Sequence, residues 1–313
     1  MRVLNYIILF LLVNILFACQ KDPMEDIKDG KWNKERNIIG VIFQDQVGEA
    51  TVSRNGDQAT INFTYNTSAS ADFSAIRVNQ IELSYGAVAS VKNGETLNFE
   101  NAGHSAVITV TPANGEPLDW VVTLTPFTET LLGTWNVTGL YVYGGTGPEY
   151  GGAAVLKMSD KSWCWPSAEG PAKEQDNTLT FTMTGITAEG NTYGTVVNDA
   201  GADGKYANFL FISKTPNIDV NNFYRTIPKG TGSWMRNYAT GTVTFTFADE
   251  TAKTGMFDAP GTYDLGNSKS RTLTDYAFTF TLNGVDDWGN IYSDYDKFVK
   301  RPRKYWVDVK KKP

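Results

Sequence analysis

The sequence predicts an all-β protein of two consecutive domains behind an apolar N-terminal segment. Three observations predict it. Almost every apolar run after residue 38 is short, β-branched and alternating in polarity, the period-2 signature of half-buried strands. The runs are bounded by Gly-, Asn- and Pro-containing connections. No convincing amphipathic helix of about ten residues interrupts them.

In chain order, Arg2 is the only charge before a run from Val3 to Ala18 that is apolar except for Asn5 and Asn14, with Tyr6 intermediate. A spanning helix needs about 20 apolar residues, so this run is short for a permanent span and suits a signal peptide. It ends in Leu16-Phe17-Ala18-Cys19, followed by polar Gln20-Lys21-Asp22. That resembles the bacterial lipobox, although Phe17 is bulkier than usual at its place. The resemblance implies removal of residues 1–18, lipidation of Cys19, and an outer-membrane protein held by acyl chains, each buried methylene contributing about 0.8 kcal/mol. Gln20-Lys21-Asp22 with Glu25 and Asp26 resembles the acidic surface-export signals of Bacteroidota lipoproteins, which implies exposure at the cell surface. Residues 19–37 then read as the lipidated cysteine and a flexible tether.

The first domain is expected over residues 38–127. In Gln58–Tyr65, Ala59, Ile61, Phe63 and Tyr65 alternate with polar residues, and Ser105–Thr111 and Asp119–Thr125 repeat the pattern. Between the last two, Pro112-Ala113-Asn114-Gly115 predicts a tight Asn-Gly hairpin. Six or seven such strands suit a sandwich of about 100 residues of the immunoglobulin type. Leu83-Ser84-Tyr85-Gly86-Ala87, Asn93–Phe99, Ala106–Gly115 and Trp120–Leu124 together resemble the Ig-like N-terminal modules of Bacteroidota surface lipoproteins. Many of those belong to polysaccharide-utilisation systems, where the module is a spacer. The resemblance implies a setting for the protein more than a ligand.

Thr128-Glu129-Thr130 is the expected boundary, and residues 131–313 the second domain. Its strands are expected at Trp135–Tyr143, Ala153–Met158, Thr178–Gly185, Ala207–Ser213, Thr240–Phe247, Asp275–Leu282 and Lys304–Val309. Strand number and long connections favour a jelly-roll-like β-sandwich. The alternative is a barrel, because Leu132-Gly133-Thr134-Trp135 resembles the Gly-x-Trp that opens lipocalin barrels.

Composition narrows the function. A formal charge of −6 argues against nucleic acid as a partner. From Lys297 to Lys312, however, there are eight basic residues and one acid, Asp308, either a solvated terminal strand or a surface for phosphates. There are two cysteines; with Cys19 lipidated, Cys164 has no partner for a disulfide. His104 is the only histidine and lies in the spacer, which excludes a Ser-His-Asp triad or a histidine-based zinc site in the second domain. Carboxylates remain. A glycosidase-like activity needs only two facing acids, and Asp286, Asp287, Asp294 and Asp296 form the densest acidic group, with Asp258 and Asp264 elsewhere. Asp286, Asp287 and Asn290 also offer oxygen ligands of the kind calcium takes, without the spacing of an EF-hand loop.

Aromatic residues carry more. Sugar rings present apolar C–H faces that stack on indole and phenol rings, while their hydroxyls need polar partners. Trp234, Arg236, Asn237 and Tyr238 lie in a stretch rich in small and polar residues, as do Trp288 and Tyr292. Burying those rings would draw polar neighbours inward at about 1–3 kcal/mol for each unpaired group. If Trp163-Cys164-Trp165 is extended, Trp163 and Trp165 share one face as a platform or as core. Trp120, Trp135 and Trp306 sit in alternating strands and are expected in cores.

The expected protein is a non-catalytic, surface-exposed glycan-binding lipoprotein without a cofactor. The family resemblance implies a TonB-dependent outer-membrane importer and a companion lipoprotein as partners. Rival readings are an adhesin or structural subunit that binds protein, a carboxylate-dependent glycosidase, and a lipocalin-like carrier of a small apolar ligand.

Overall fold

The computed structural model describes residues 32–67 and 72–313. The expected signal peptide, Cys19 and most of the expected tether lie outside the described residues. The all-β class holds throughout. The chain forms two compact units, with the main division between Pro126 and Phe127.

The first unit contains β1 (Ile38–Phe43), β2 (Gln46–Asn55), β3 (Gln58–Asn66), β4 (Ile76–Leu83), β5 (Val88–Ala89), β6 (Thr96–Leu97), β7 (Ser105–Thr111) and β8 (Leu118–Phe127). They form two sheets, ordered β1-β4-β6 and β2-β3-β8-β7-β5. Alternation does what it predicts in β3: Ala59, Ile61, Phe63 and Tyr65 are buried. They meet Phe43, Ile76 and Val78 of the facing sheet in one core, with Phe43 stacked on Phe63 at 4.1 Å. Trp120 is buried as expected and donates from Nε1 to the Arg36 carbonyl at 3.1 Å.

The tight Asn-Gly hairpin does not form. The ladder closes at Val110 opposite Leu118, which leaves a longer loop between β7 and β8. Pro112 and Pro117 have no N–H to give a ladder, and Arg36 Nη1 holds the loop by donating to the carbonyls of Glu116 and Pro117 at 3.0 and 2.9 Å.

The second unit is a closed barrel, so the jelly-roll sandwich gives way to the alternative. β9 (Gly133–Gly144), β11 (Thr178–Ile186), β12 (Thr192–Asp199), β15 (Gly230–Asn237), β16 (Thr242–Thr246), β17 (Ala252–Asp258), β20 (Tyr276–Thr281) and β21 (Pro302–Lys311) pair in that order, all antiparallel. β21 returns to β9, from Pro302 opposite Gly144 to Lys311 opposite Trp135. Closure removes the free edges that a sandwich leaves. A ninth strand, β10 (Ala154–Lys157), lies along β9. The short β13 (Leu210–Phe211) and β14 (Ile218–Asp219) pair outside the ring, in place of the strand expected over Ala207–Ser213.

Inward positions are apolar: Trp135, Phe181, Val196, Trp234, Phe245, Phe278 and Tyr305 fill the interior. Outward positions carry threonines that pair across strands, as Thr244 with Thr254 at 2.9 Å and Thr134 with Thr180 at 3.1 Å. A barrel of this polarity is the reverse of a membrane-spanning one, whose interior is polar. Among the described residues no helix is long and apolar enough to cross a membrane.

The hairpin β18 (Gly261–Gly266) and β19 (Lys269–Leu273) folds over the outer wall. Trp306 is buried as expected, but beneath this hairpin with Tyr143, Leu273 and Ala277 rather than inside the ring. Arg271 lies between the rings of Tyr141 and Trp306, 4.1 and 4.5 Å from their centroids, and reaches both oxygens of Asp308 at 2.6 and 2.7 Å.

The long connections gather at one end of the barrel. The segments after β9, after β12 and between β20 and β21 leave from the end marked by Gly144 and Pro302. The segment after β10, which starts below that end at Lys157 opposite Tyr141, leads to the start of β11, beside the end of β12. Trp165, Phe209, Phe211, Tyr224 and Phe298 turn inward from them and close the mouth. A cavity between Leu140, Tyr224, Thr226 and Tyr305 measures about 10 Å³. Ligand pockets measure about 300–1,000 Å³, so this space suits a carrier of small apolar molecules poorly.

Candidate functional site

At the same end, the loop after β9 and the segment before β21 are tied by one buried link. Thr146 is fully buried and donates its amide and its hydroxyl to the two oxygens of Asp296, at 2.7 and 2.8 Å. Its Oγ1 in turn accepts the Asp287 amide at 2.7 Å. Asp296, also fully buried, is thereby stabilised by hydrogen bonds to both of its oxygens.

This link sets the outer face. Pro148 opens a single 3₁₀ turn, Pro148–Tyr150, flanked by Gly147 and Gly151 at φ of 58° and 79°. Only glycine takes that left-handed backbone cheaply. At Gly147 it also leaves room for the Trp288 indole, whose edge would stand 3.0 Å from an added Cβ. The Tyr150 and Trp288 rings meet edge to face, 6.0 Å apart. Tyr292 donates its hydroxyl to the Tyr150 carbonyl at 3.3 Å. Two residues on, Asp294 accepts the Trp163 Nε1 proton at 3.1 Å and pairs with Lys161 at 3.1 Å. Lys161 lies over the Trp163 ring, 4.9 Å from its centroid.

The result is a ledge of four exposed rings: Tyr150 66 %, Trp163 58 %, Trp288 56 % and Tyr292 58 %. Its rim is polar. Asp286 pairs with Arg301 at 2.8 Å and Arg303 at 3.2 Å, and Asn290 donates to Asp287 at 2.8 Å. Large rings held open to water by a rigid frame are costly unless something covers them. Their chemistry suits stacking on apolar ring faces, with carboxylates, amides and cations beside them to bond hydroxyls.

Three expected site residues, Trp163, Trp288 and Tyr292, therefore lie in one assembly. Tyr150 was missed. Its signal is an aromatic at the tip of Gly147-Pro148-Glu149-Tyr150-Gly151, a proline-initiated turn closed by glycines.

The remaining expected ligand residues lie elsewhere. Gly230–Asn237 is not a loop but barrel strand β15. Trp234 is buried, and its Nε1 crosses β12 at Gly194 to donate to the Thr182 carbonyl at 3.1 Å. Arg236 and Tyr238 belong to the opposite end of the barrel, where both bond Glu129: Arg236 at 2.7 Å and Tyr238 through its hydroxyl. Asn237 accepts the Thr240 amide at 3.0 Å and shapes the turn between β15 and β16. Trp163-Cys164-Trp165 is not extended through its length. A 3₁₀ segment, Met158–Cys164, turns Trp163 outward, while Trp165 is buried against Phe298, Phe211 and Tyr224. Cys164 is buried too, and burial pushes its thiol up to about 11, so it is no nucleophile at neutral pH.

The acidic residues do not converge. Asp258 accepts from Thr279 at 2.6 Å and Asp264 from the Gly266 amide at 2.9 Å, both remote in the fold from Asp286 and Asp296. Asp286 is turned to arginines, and the amide nitrogen of Asn290, not its oxygen, faces Asp287, an arrangement unsuited to calcium. Among the described residues no group of three or more His, Cys, Asp or Glu is placed to hold a metal ion.

No family model matches this chain, and no curated protein matches it. Among solved structures, a candidate glycoside hydrolase from Bacteroides thetaiotaomicron aligns at 11% identity over 90% of this chain and 84% of that chain, with a TM-score of 0.25. A superposition that loose carries no inference about fold or chemistry. The functional reading therefore stands on the geometry of the ledge.

Proposed function

We propose that this protein is a lipid-anchored lipoprotein of the outer membrane that binds oligo- or polysaccharide at the cell surface without cleaving it. The observation that carries the reading is the ledge of Tyr150, Trp163, Trp288 and Tyr292, exposed together on one rigid frame. Its polar rim distinguishes it from the uninterrupted apolar patch that a protein-binding surface presents. The lipobox-like Leu16–Cys19 and the resemblance of the first domain to spacer modules supply the setting. In that setting a TonB-dependent importer and a companion lipoprotein receive the captured glycan.

Affinity electrophoresis of the full-length protein in gels containing single polysaccharides tests the reading. At least one glycan will retard migration, and Trp288→Ala and Tyr150→Ala will each weaken that retardation by more than about fivefold, as removal of a contact residue worth over about 1 kcal/mol does. Both rings are exposed, so the urea midpoint will stay close to that of the parent. Unchanged mobility in every gel would overturn glycan binding, and release of reducing sugar would overturn its non-catalytic form. The anchor has its own test: radiolabelled palmitate fed to the producing cells will label the parent chain and not Cys19→Ser.

A further inference from the structure

The geometry points to an anionic subsite beside the ledge: Lys214 and Lys300, converging on Tyr295, take the carboxylate or sulfate of an acidic glycan whose neighbouring sugar stacks on Trp163. This deepens the proposed function and rests on it. Lys214 and Lys300 each place their ammonium over the Tyr295 ring, 4.7 and 5.7 Å from its centroid. Both side chains are exposed, and among the described residues neither has a carboxylate within ion-pair distance.

The ring they share is fixed. Tyr295 packs against the buried Phe211 at 6.0 Å and precedes Asp296, which Thr146 anchors. The Lys300 carbonyl accepts the Val285 amide at 2.7 Å, so its backbone is pinned as well. The subsite adjoins the ledge from both sides of Trp163. Ser213, next to Lys214, donates to the Trp163 carbonyl at 2.8 Å, and Asp294, next to Tyr295, accepts from the Trp163 indole.

Several other basic residues around Trp163 and Tyr295 are already engaged. Lys161 is paired with Asp294, Arg301 and Arg303 with Asp286, and Lys297 is buried, donating to the carbonyls of Tyr292 and Ser293. Lys214 and Lys300 are thus two cations of this neighbourhood left to a ligand, on a chain whose overall charge is −6.

Matched pairs of polysaccharide test the subsite in affinity electrophoresis of the full-length protein: dextran against dextran sulfate, and methyl-esterified against de-esterified polygalacturonate. The acidic member of at least one pair will retard the protein more, and which pair responds separates sulfate from carboxylate. The double variant Lys214→Gln/Lys300→Gln will weaken that acidic interaction about tenfold, the loss expected for charge-assisted contacts. Lys310→Gln/Lys312→Gln removes the same charge at the far end of β21 and will leave it unchanged. Equal retardation by both members of each pair, or equal loss in the two double variants, would overturn the subsite. Binding of neutral glycans that depends on Trp288 would then leave the proposed function standing. Absence of binding to every polysaccharide would remove both.

Discussion

Trp234→Ala will destabilise the barrel by about 3–5 kcal/mol, the cost of truncating a buried tryptophan. The indole is 1 % exposed and packs against Phe181 at 6.0 Å, in the ring cluster that continues through Phe245 and Phe278. Little else can fill the space. On the neighbouring strand Gly194 lies opposite Trp234, and an added Cβ there would sit 1.9 Å from the Thr182 carbonyl that the indole bonds. Truncation therefore leaves both a void and a carbonyl without its donor. Urea titration followed by the near-ultraviolet signal will show a lower midpoint with an unchanged slope. A ligand-binding tryptophan behaves in the opposite way, losing affinity with the midpoint intact, so one titration separates the two roles. A midpoint equal to that of the parent would show that the ring is not in the core.

Glu129→Ala will cost a similar amount, about 3–5 kcal/mol, because it breaks a buried charge pair and a shared hydrogen-bond network at once. The Glu129 side chain is fully buried, and its oxygens accept from Thr192 at 2.7 Å, the Leu131 amide at 3.0 Å, Arg236 at 2.7 Å and the Tyr238 hydroxyl. Burial alone would raise its pKa, but the bonds from Thr192, Tyr238 and the Leu131 amide, with the Arg236 charge, outweigh it and hold the carboxyl below its ordinary value of 4.5. The sign of the pH dependence follows. A carboxyl whose folded pKa lies below its unfolded one contributes stability that is fully present above 4.5 and is lost as pH falls through the folded value. The parent's urea midpoint will therefore fall on acidification below that pH. Glu129→Gln will start lower at pH 7 and show a shallower fall. Parallel pH profiles for the two proteins would remove Glu129 from that role.

The strands were legible because alternation is local. β3, β7 and β8 could be traced residue by residue, and in the barrel β9, β11, β16, β20 and β21 fall within a few residues of where alternating runs predict them. β15 was not legible, because two glycines, a serine, an arginine and an asparagine share eight residues with Trp234. Those small residues answer to neighbours distant in sequence: an added Cβ at Gly232 would stand 2.5 Å from Pro228 and 2.9 Å from the Thr246 carbonyl. Close backbone approach and a solvent loop favour the same small residues, so composition alone could not separate them. The polar neighbours of Trp234 were also misleading. Arg236 and Tyr238 enter the interior with their partner Glu129, which lies more than 100 residues earlier in the chain.

The candidate site divides in the same way. Trp288 and Tyr292 were legible as aromatics among Asp, Gly and Asn. Trp163 was legible only together with Trp165, since nothing in Trp163-Cys164-Trp165 announces a 3₁₀ turn that sends one indole to solvent and the other to the core. Tyr150 joins them through the Thr146–Asp296 link, whose partners are 150 residues apart.

By itself, then, the sequence determined the all-β class and many of the strands, though not β12, β15 or β17, the scarcity of catalytic groups, and the expectation of an acylated N-terminal cysteine. Each depends on residue type, or on neighbours two to four positions away. Tertiary structure alone decided that β21 returns to β9 to close a barrel, that Trp234 and Trp165 are core, and that Tyr150, Trp163, Trp288 and Tyr292 face water on one frame. The physical reason is that a sandwich and a barrel bury the same alternating residues. Which strand pairs last, and which segment passes over a given ring, are set by packing between parts of the chain more than a hundred residues apart.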